Sequence, residues 1–213
     1  LDADGRRVAA GEIILAIDGH DIAAGEEYDS FLNHRVGKEV DLTVADRAGR
    51  NPRTVTVEPA DGGRIWDLAY QNWMDCNRAY ADSLSGGRIG YVHMSAMGGG
   101  NWDRFIEDVF SKAKGKAGLI LDVRFNNGGS IHDQVLTFLS RRSYAYSLGR
   151  GERDITFDAL WRWDGPVVLL TNERSYSDGE IFPAGFKALK LGRIVGMPTF
   201  GAVIGTNDVN LID

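Results

Sequence analysis

A chain of 213 residues, 43% hydrophobic and 25% charged, has enough material for one large or two small folded cores. Its formal charge of −6 lacks the basic excess of a nucleic-acid binder, so no nucleic-acid partner is expected. No apolar run approaches the ~18 residues that mark a bilayer-spanning helix, which argues against membrane insertion. The single cysteine, Cys76, excludes an internal disulfide and reads as a half-buried helix residue. The chain starts Leu1-Asp-Ala-Asp-Gly5, with neither an initiator methionine nor a signal peptide, and ends on the apolar Leu211-Ile-Asp213. It is therefore expected to be a piece of something longer.

Residues 1–60 read as a small β-rich module. Gly11-Glu-Ile-Ile-Leu-Ala-Ile-Asp-Gly19 is a strand closed by an Asp-Gly turn signal. Residues 28–36 form a short helix with Phe31 and Leu32 inward. Val40-Asp-Leu-Thr-Val44 and Thr54-Val-Thr-Val-Glu58 alternate at period two around a polar segment, which predicts a hairpin.

Residues 61–87 read as a linker and a helix. Trp66, Ala69, Tyr70, Trp73, Met74, Asn77 and Tyr80 recur at intervals of three and four, and Gly86-Gly87 stops the run. Core packing is the expected role of that aromatic stripe.

Residues 88–213 alternate strands with helices, the pattern of a largely parallel α/β sheet. A strand over 88–94 precedes a glycine loop, Gly98-Gly-Gly100, and a helix over 102–113. The apolar strand 117–123 closes on Arg124-Phe-Asn-Asn-Gly-Gly-Ser130 and leads into a helix over 131–142. Val167-Val-Leu-Leu170 is a buried strand. A polar loop then reaches Ser177, where a helix begins, and 193–196 is the next strand.

In such a sheet the loops at the carboxyl ends of the strands carry function, and two of them stand out. Asn126-Asn-Gly-Gly129 brings main-chain N–H groups close to a ligand or is a plain strand-to-helix turn. Ser177-Asp-Gly-Glu180 is a capping box, S-x-x-E, or a nucleophile at the mouth of a helix whose N–H groups can stabilise an oxyanion. Caps are the commoner of the two. Together the loops hold the minimal kit for acyl transfer: a hydroxyl nucleophile with an N–H beside it and another from a glycine loop.

The first module, with its G-E-x-I-L-x-I-D-G strand followed by a helix and a hairpin, resembles a PDZ domain whose leading strand is cut short. The resemblance implies capture of an extended peptide as an added strand; a spacer that binds nothing is the other reading. LILDVRFNNGG, NERSYSDGE some 48 residues later and then GMPTFGAVIG resemble the C-terminal processing peptidases and tricorn proteases in order and separation. This implies a mixed α/β protease core over 88–213, with Ser177 as nucleophile and the N–H groups of Asp178 and Gly129 as oxyanion donors. Gly128 is the alternative to Gly129. Peptides or unfolded segments would be the substrates, with no metal or organic cofactor.

The two branches differ in their base. Processing peptidases carry a lysine about 25 residues after the serine, in a T-F-G-K-G-like turn. This chain has Thr199-Phe-Gly-Ala202 there, while Lys187 and Lys190 lie ten and thirteen residues along the helix, away from its mouth. Tricorn-like enzymes use a histidine from before the PDZ domain and a glutamate from beyond this chain's last residue, so the resemblance places both partners outside 1–213. Of the histidines present, His20 and His34 read as surface residues and His93 as a core residue. His132, at a helix start three residues after Gly129, is the one that could approach the loops; a plain surface position is the other reading.

Arg150, Glu152, Arg153, Asp154 and Asp158 fall where a tricorn-like pocket carries its acidic selector. The isolated chain is expected to be nearly inactive. A homo-oligomer and a cytoplasmic setting are in keeping with the family, an exported form staying open. The rival expectation is a peptide-binding or scaffold protein that kept the fold and lost the chemistry.

Overall fold

In a computed structural model, which describes residues 7–151, 153, 155–158 and 161–205, the period-two segments near the start pair into one antiparallel sheet. Its strands are β1 (Ile13–Ile17), β2 (His20–Asp21), β3 (Val40–Ala45) and β4 (Arg53–Val57), in the order β2-β1-β3-β4. Asp18 and Gly19 both take positive φ (47° and 78°) between the paired Ile17 and His20, as a two-residue hairpin loop that follows the strand twist requires. The predicted hairpin of β3 and β4 holds Val40 opposite Val57 and Leu42 opposite Val55. Ile17, Val40, Leu42, Val44 and Val55 form the core of this unit. The helix expected over 28–36 is only a 3₁₀ segment, Tyr28–Leu32, because His34 turns the chain at φ 60°. Phe31 and Leu32 pack on the core, as expected.

Helix α1 (Gly62–Ser85) starts where Asp61 Oδ1 accepts the Arg64 N–H at 2.7 Å and ends at Gly86 and Gly87, both at positive φ. The aromatic stripe is only partly a packing stripe. Met74 is buried, and Tyr70, Trp73 and Asn77 are half covered. Trp66 and Tyr80, however, are 78% and 66% exposed. Cys76 is also exposed rather than half-buried, since it sits on the side of α1 away from Met74. Two compact units make up the chain, Leu1–Asn72 and Trp73–Asp213.

The second unit contains β5 (Ile89–His93), α2 (Gly99–Asp108), β6 (Gly118–Asp122), α3 (His132–Ser140), β7 (Ala145–Leu148), β8 (Ile155–Asp158), β9 (Val167–Thr171), α4 (Asp178–Ala188) and β10 (Gly192–Gly196). Four strands form a wholly parallel sheet in the order β10-β9-β6-β5. Val92, Leu119, Leu121, Val167 and Leu169 line one face of it and are buried with Phe105, Val135, Phe138, Phe182 and Phe186 of α2, α3 and α4.

Two details differ from expectation. Gly99 and Gly100 begin α2 instead of forming a loop, with Asn101 Oδ1 accepting the Gly98 N–H at 3.2 Å. After Asp108 the helix widens into a π-helical turn, Val109–Ala113. The charged stretch 147–158 contains a hairpin, with Tyr146 opposite Phe157 and Leu148 opposite Ile155. Arg150 and Arg153 are exposed on it; Glu152 and Asp154 lie outside the described residues, as does the apolar end of the chain.

Candidate active site

The carboxyl ends of β6 and β9 are adjacent, with Asp122 in register with Leu170, so the loops that follow them run side by side. Buried polar side chains cross-link the two. Asn172 Oδ1 accepts the N–H of Phe125 (3.0 Å) and of Arg174 (3.2 Å). The Ser175 hydroxyl donates to the Val123 carbonyl at 2.8 Å and accepts the Asn172 N–H at 3.2 Å. Asn126, fully buried, is the third link. Its amide nitrogen donates to the Met94 carbonyl past the end of β5 (2.8 Å), and its Oδ1 accepts the Gly128 N–H (2.8 Å). Its own carbonyl accepts the Tyr176 N–H at 2.9 Å. Buried amide side chains are kept where all their polar atoms find partners, and here those partners set the spacing of the loops.

Ser177 follows at the top of a tight turn. The Gly179 N–H donates to the Tyr176 carbonyl at 2.9 Å, and Ser177 between them has φ 53° and ψ −119°. These are the angles of the first central residue of a type II′ turn, a position normally taken by glycine. A side chain held there costs about 1–3 kcal/mol. Ser177 and Glu180 show the reciprocal approach of a capping box, but the serine makes no side-chain capping hydrogen bond. The firm half is the Ser177 N–H donating to Glu180 Oε1 at 3.3 Å. Among the described residues the Ser177 hydroxyl has no hydrogen-bond partner.

Glu180 is buried, and its carboxylate also accepts the N–H of Gly201 (2.5 Å) and Ala202 (2.9 Å). Burial pushes its pKa up, but the hydrogen bonds from Gly201, Thr199, Ala202 and Ser177 outweigh that and hold it below the ordinary carboxylate value. The turn containing Ala202 is thereby fastened to the first turn of α4. Phe200 adds an N–H donated to the Ser175 carbonyl (3.0 Å) and a ring packed edge-on to Tyr176, 5.3 Å between centroids. Lys187 lies in the last turn of α4, remote from this mouth, and is exposed, as is Lys190.

The glycine pair packs directly on the serine. A Cβ on Gly128 (φ 84°) would sit 2.7 Å from Ser177 Cβ and 3.0 Å from the Tyr176 carbonyl. Gly129 (φ 148°) is pressed onto Met97, whose N–H donates to the Gly128 carbonyl (2.7 Å) and whose carbonyl accepts the Ser130 N–H (2.8 Å). Among the described residues neither the Gly129 N–H nor the Asp178 N–H is taken up by any hydrogen bond. Ser177, Asp178 and Gly129 are therefore gathered on adjoining loops, with Gly128 at the contact between them.

The Asp178 carboxylate turns the other way and is buried. It accepts the N–H groups of Ile131 (3.0 Å) and His132 (3.2 Å) at the start of α3, and it pairs with His132 Nδ1. His93 is a core histidine, as expected. Its Nε2 is 2.8 Å from the Arg124 carbonyl, its ring meets Trp73 edge-on, and burial lowers its pKa. Behind it Asp122 binds the Arg124 guanidinium and the Tyr91 hydroxyl (both 2.6 Å), with burial first among the causes that raise the Tyr91 pKa. His20 and His34 are exposed in the first unit. Among the described residues no histidine or lysine is hydrogen-bonded to the Ser177 hydroxyl, and no cluster of three or more histidine, cysteine or acidic residues is placed to hold a metal. In the sequence Asn126 belongs to the glycine loop and Glu180 to the capping box, and the Glu180 carboxylate does bond back to the Ser177 N–H. Asn172 and Ser175 carry no assigned role there, and a polar residue just after a buried strand is the signal for Asn172.

Residues 88–213 match the model of peptidase family S41, and the chain belongs to that family. Within it the chain is tricorn protease-like, since residues 1–61 match the tricorn protease PDZ domain. It is 37% identical over 207 residues to tricorn protease homolog 1 of Streptomyces coelicolor, covering 96% of this chain and 19% of that protein. It is 31% identical to the tricorn protease of Thermoplasma acidophilum, covering 95% and 19%. The crystal structure of the tricorn protease superposes with a TM-score of 0.80 at 31% identity, over 95% of this chain and 20% of that one. The chain thus spans about a fifth of the length of these relatives. No helix among the described residues is long and apolar enough to cross a membrane.

Proposed function

We propose that the chain carries the nucleophile and the oxyanion hole of a serine peptidase acting on peptides or unfolded segments. The Ser177 oxygen attacks the carbonyl carbon of the scissile bond and gives its proton to a base. The N–H groups of Gly129 and Asp178 receive the oxygen that becomes negative in the tetrahedral intermediate. The C–N bond then breaks, the proton passes to the leaving amine, and water hydrolyses the acyl-serine ester. The base and the carboxylate that orients it, a histidine and a glutamate in the tricorn pattern, come from sequence outside residues 1–213. Residues 1–60 serve as the peptide-presenting PDZ-like domain and 88–213 as the catalytic core.

The observation that supports this reading is the state of Ser177. It is held at an angle that suits glycine, beside Gly128, and neither its hydroxyl nor the Gly129 and Asp178 N–H groups of the adjoining loops have a hydrogen-bond partner among the described residues. A helix cap would use its hydroxyl and needs no strained backbone.

Labelling with a fluorophosphonate probe tests the reading. The full-length protein is labelled, its Ser177→Ala variant is not, and the 213-residue chain alone is labelled weakly because it lacks the base. No labelling of the full-length protein would favour the rival, a binding protein on the same fold. Strong labelling of the chain alone would place the base inside it.

A further inference from the structure

One carboxylate connects the two N–H groups of the site that have no partner among the described residues. The Asp178 N–H begins α4, and its side chain reaches back to the start of α3, two residues beyond Gly129. There Oδ2 accepts both main-chain donors, Ile131 at 3.0 Å and His132 at 3.2 Å, while Oδ1 is held by His132 Nδ1. Attachment through Oδ2 alone would leave the carboxylate free to pivot about that oxygen. Holding the second oxygen as well fixes its plane, and with it the link between segment 129–132 and the first residue of α4. Oxyanion donors are effective when they are set in place before charge develops.

We infer that His132 is a positioning residue for the oxyanion hole: through the Asp178 carboxylate it keeps the Gly129 and Asp178 N–H groups at one separation. This rests on the proposed role of Ser177. His132 touches no reacting atom. Its Nδ1–H donates to Asp178 Oδ1, and its Nε2 faces the edge of α3, 3.6 Å from Asp133 Oδ1. The Asp178 carboxylate is also a spatial N-cap of α3, supplied from 46 residues away. Both main-chain bonds survive when the imidazole is removed, so loss of the side chain leaves the fold in place and loosens the carboxylate.

The test is the rate of fluorophosphonate inactivation of the full-length protein, resolved into the limiting rate constant and the half-saturating probe concentration. In His132→Ala the limiting rate falls about tenfold to a hundredfold, less than the full loss of one oxyanion donor, while the half-saturating concentration stays within about threefold. His132→Asn, whose amide nitrogen stands near the place of Nδ1, recovers most of the rate. Both variants keep the wild-type circular dichroism and remain folded at the assay temperature, with His132→Ala melting lower than His132→Asn because the buried carboxylate loses a partner. Inactivation of His132→Ala at the wild-type rate would overturn the inference. So would a loss that follows the fraction of unfolded protein and is not restored by asparagine. Ser177→Ala separates the two ideas. If it alone abolishes labelling while the histidine variants are unaffected, the nucleophile stands and the positioning role falls; if wild-type protein is not labelled at Ser177, both fall.

Discussion

Gly128 lies so close against Ser177 that a methyl group on it would meet Ser177 Cβ at 2.7 Å and the Tyr176 carbonyl at 3.0 Å. The neighbours it would strike are main chain and the root of a side chain, neither of which can swing aside. Its φ of 84° adds a backbone cost to the steric one. Gly128→Ala is therefore expected to destabilise the second unit by about 1–3 kcal/mol and to remove activity, because relief comes only by parting the two loops. Denaturant unfolding and probe labelling measure the two effects. A stable, active alanine variant would show that the loops need not touch.

The strain at Ser177 makes a separable prediction. Glycine suits φ 53° and ψ −119°, so Ser177→Gly should raise stability by about 1 kcal/mol while abolishing labelling. Ser177→Ala keeps the Cβ and the strain, and should lose labelling without that gain. Thermal unfolding of the two variants side by side checks the difference. Equal melting points would mean that the turn carries no strain.

Asn126 uses both ends of its amide, donating to Met94 and accepting from Gly128. Asn126→Asp keeps the acceptor but sets a carboxylate against the Met94 carbonyl, and Asn126→Ala leaves both partners unsatisfied. Each should cost about 1–3 kcal/mol and lower the labelling rate through displacement of the glycine pair. Unfolding free energies and labelling rates of the two variants provide the check, and the aspartate should recover as pH falls and its carboxyl gains a proton. No recovery would argue against the donor role.

Glu180 gives the site an acid limit. Its pKa in the folded protein is below the ordinary value of 4.5, so the ionised form is the one the fold favours. Its contribution is complete above pH 4.5 and is lost as pH falls through the lower, folded value. Amide-exchange protection at Gly201 and Ala202, corrected for the intrinsic rate, should drop over that interval while Leu121 in the sheet stays protected. In Glu180→Gln, protection at the two amides should be low at every pH. A pH-independent wild type would contradict the clamp.

The parallel sheet and both loops could be read from the sequence because they rest on local signals: apolar runs at Val167 and Leu119, glycines after strands, and a helix start at Ser177. The β7–β8 hairpin was hidden, although Tyr146, Leu148, Ile155 and Phe157 do alternate at period two. Four-residue strands among charges are a weak signal, and these strands keep their apolar side chains exposed. The exposure of Trp66 and Tyr80 on α1 was likewise not legible, since spacing marks one face of a helix but not what covers it. At the site, the resemblance in motif order and separation is what points to Ser177, Asp178 and Gly129. The strained angle of Ser177, the grip of Asn126 on Gly128 and the clamp from Glu180 to Ala202 come from tertiary packing that no window of sequence contains.

The most direct test of the central claim is a crystal structure of the full-length protein after reaction with diisopropyl fluorophosphate. The account predicts a phosphorus–oxygen bond at Ser177, with the phosphoryl oxygen about 2.7–3.1 Å from both the Gly129 and the Asp178 nitrogens. An adduct on another residue, or a phosphoryl oxygen turned away from those two N–H groups, would contradict it.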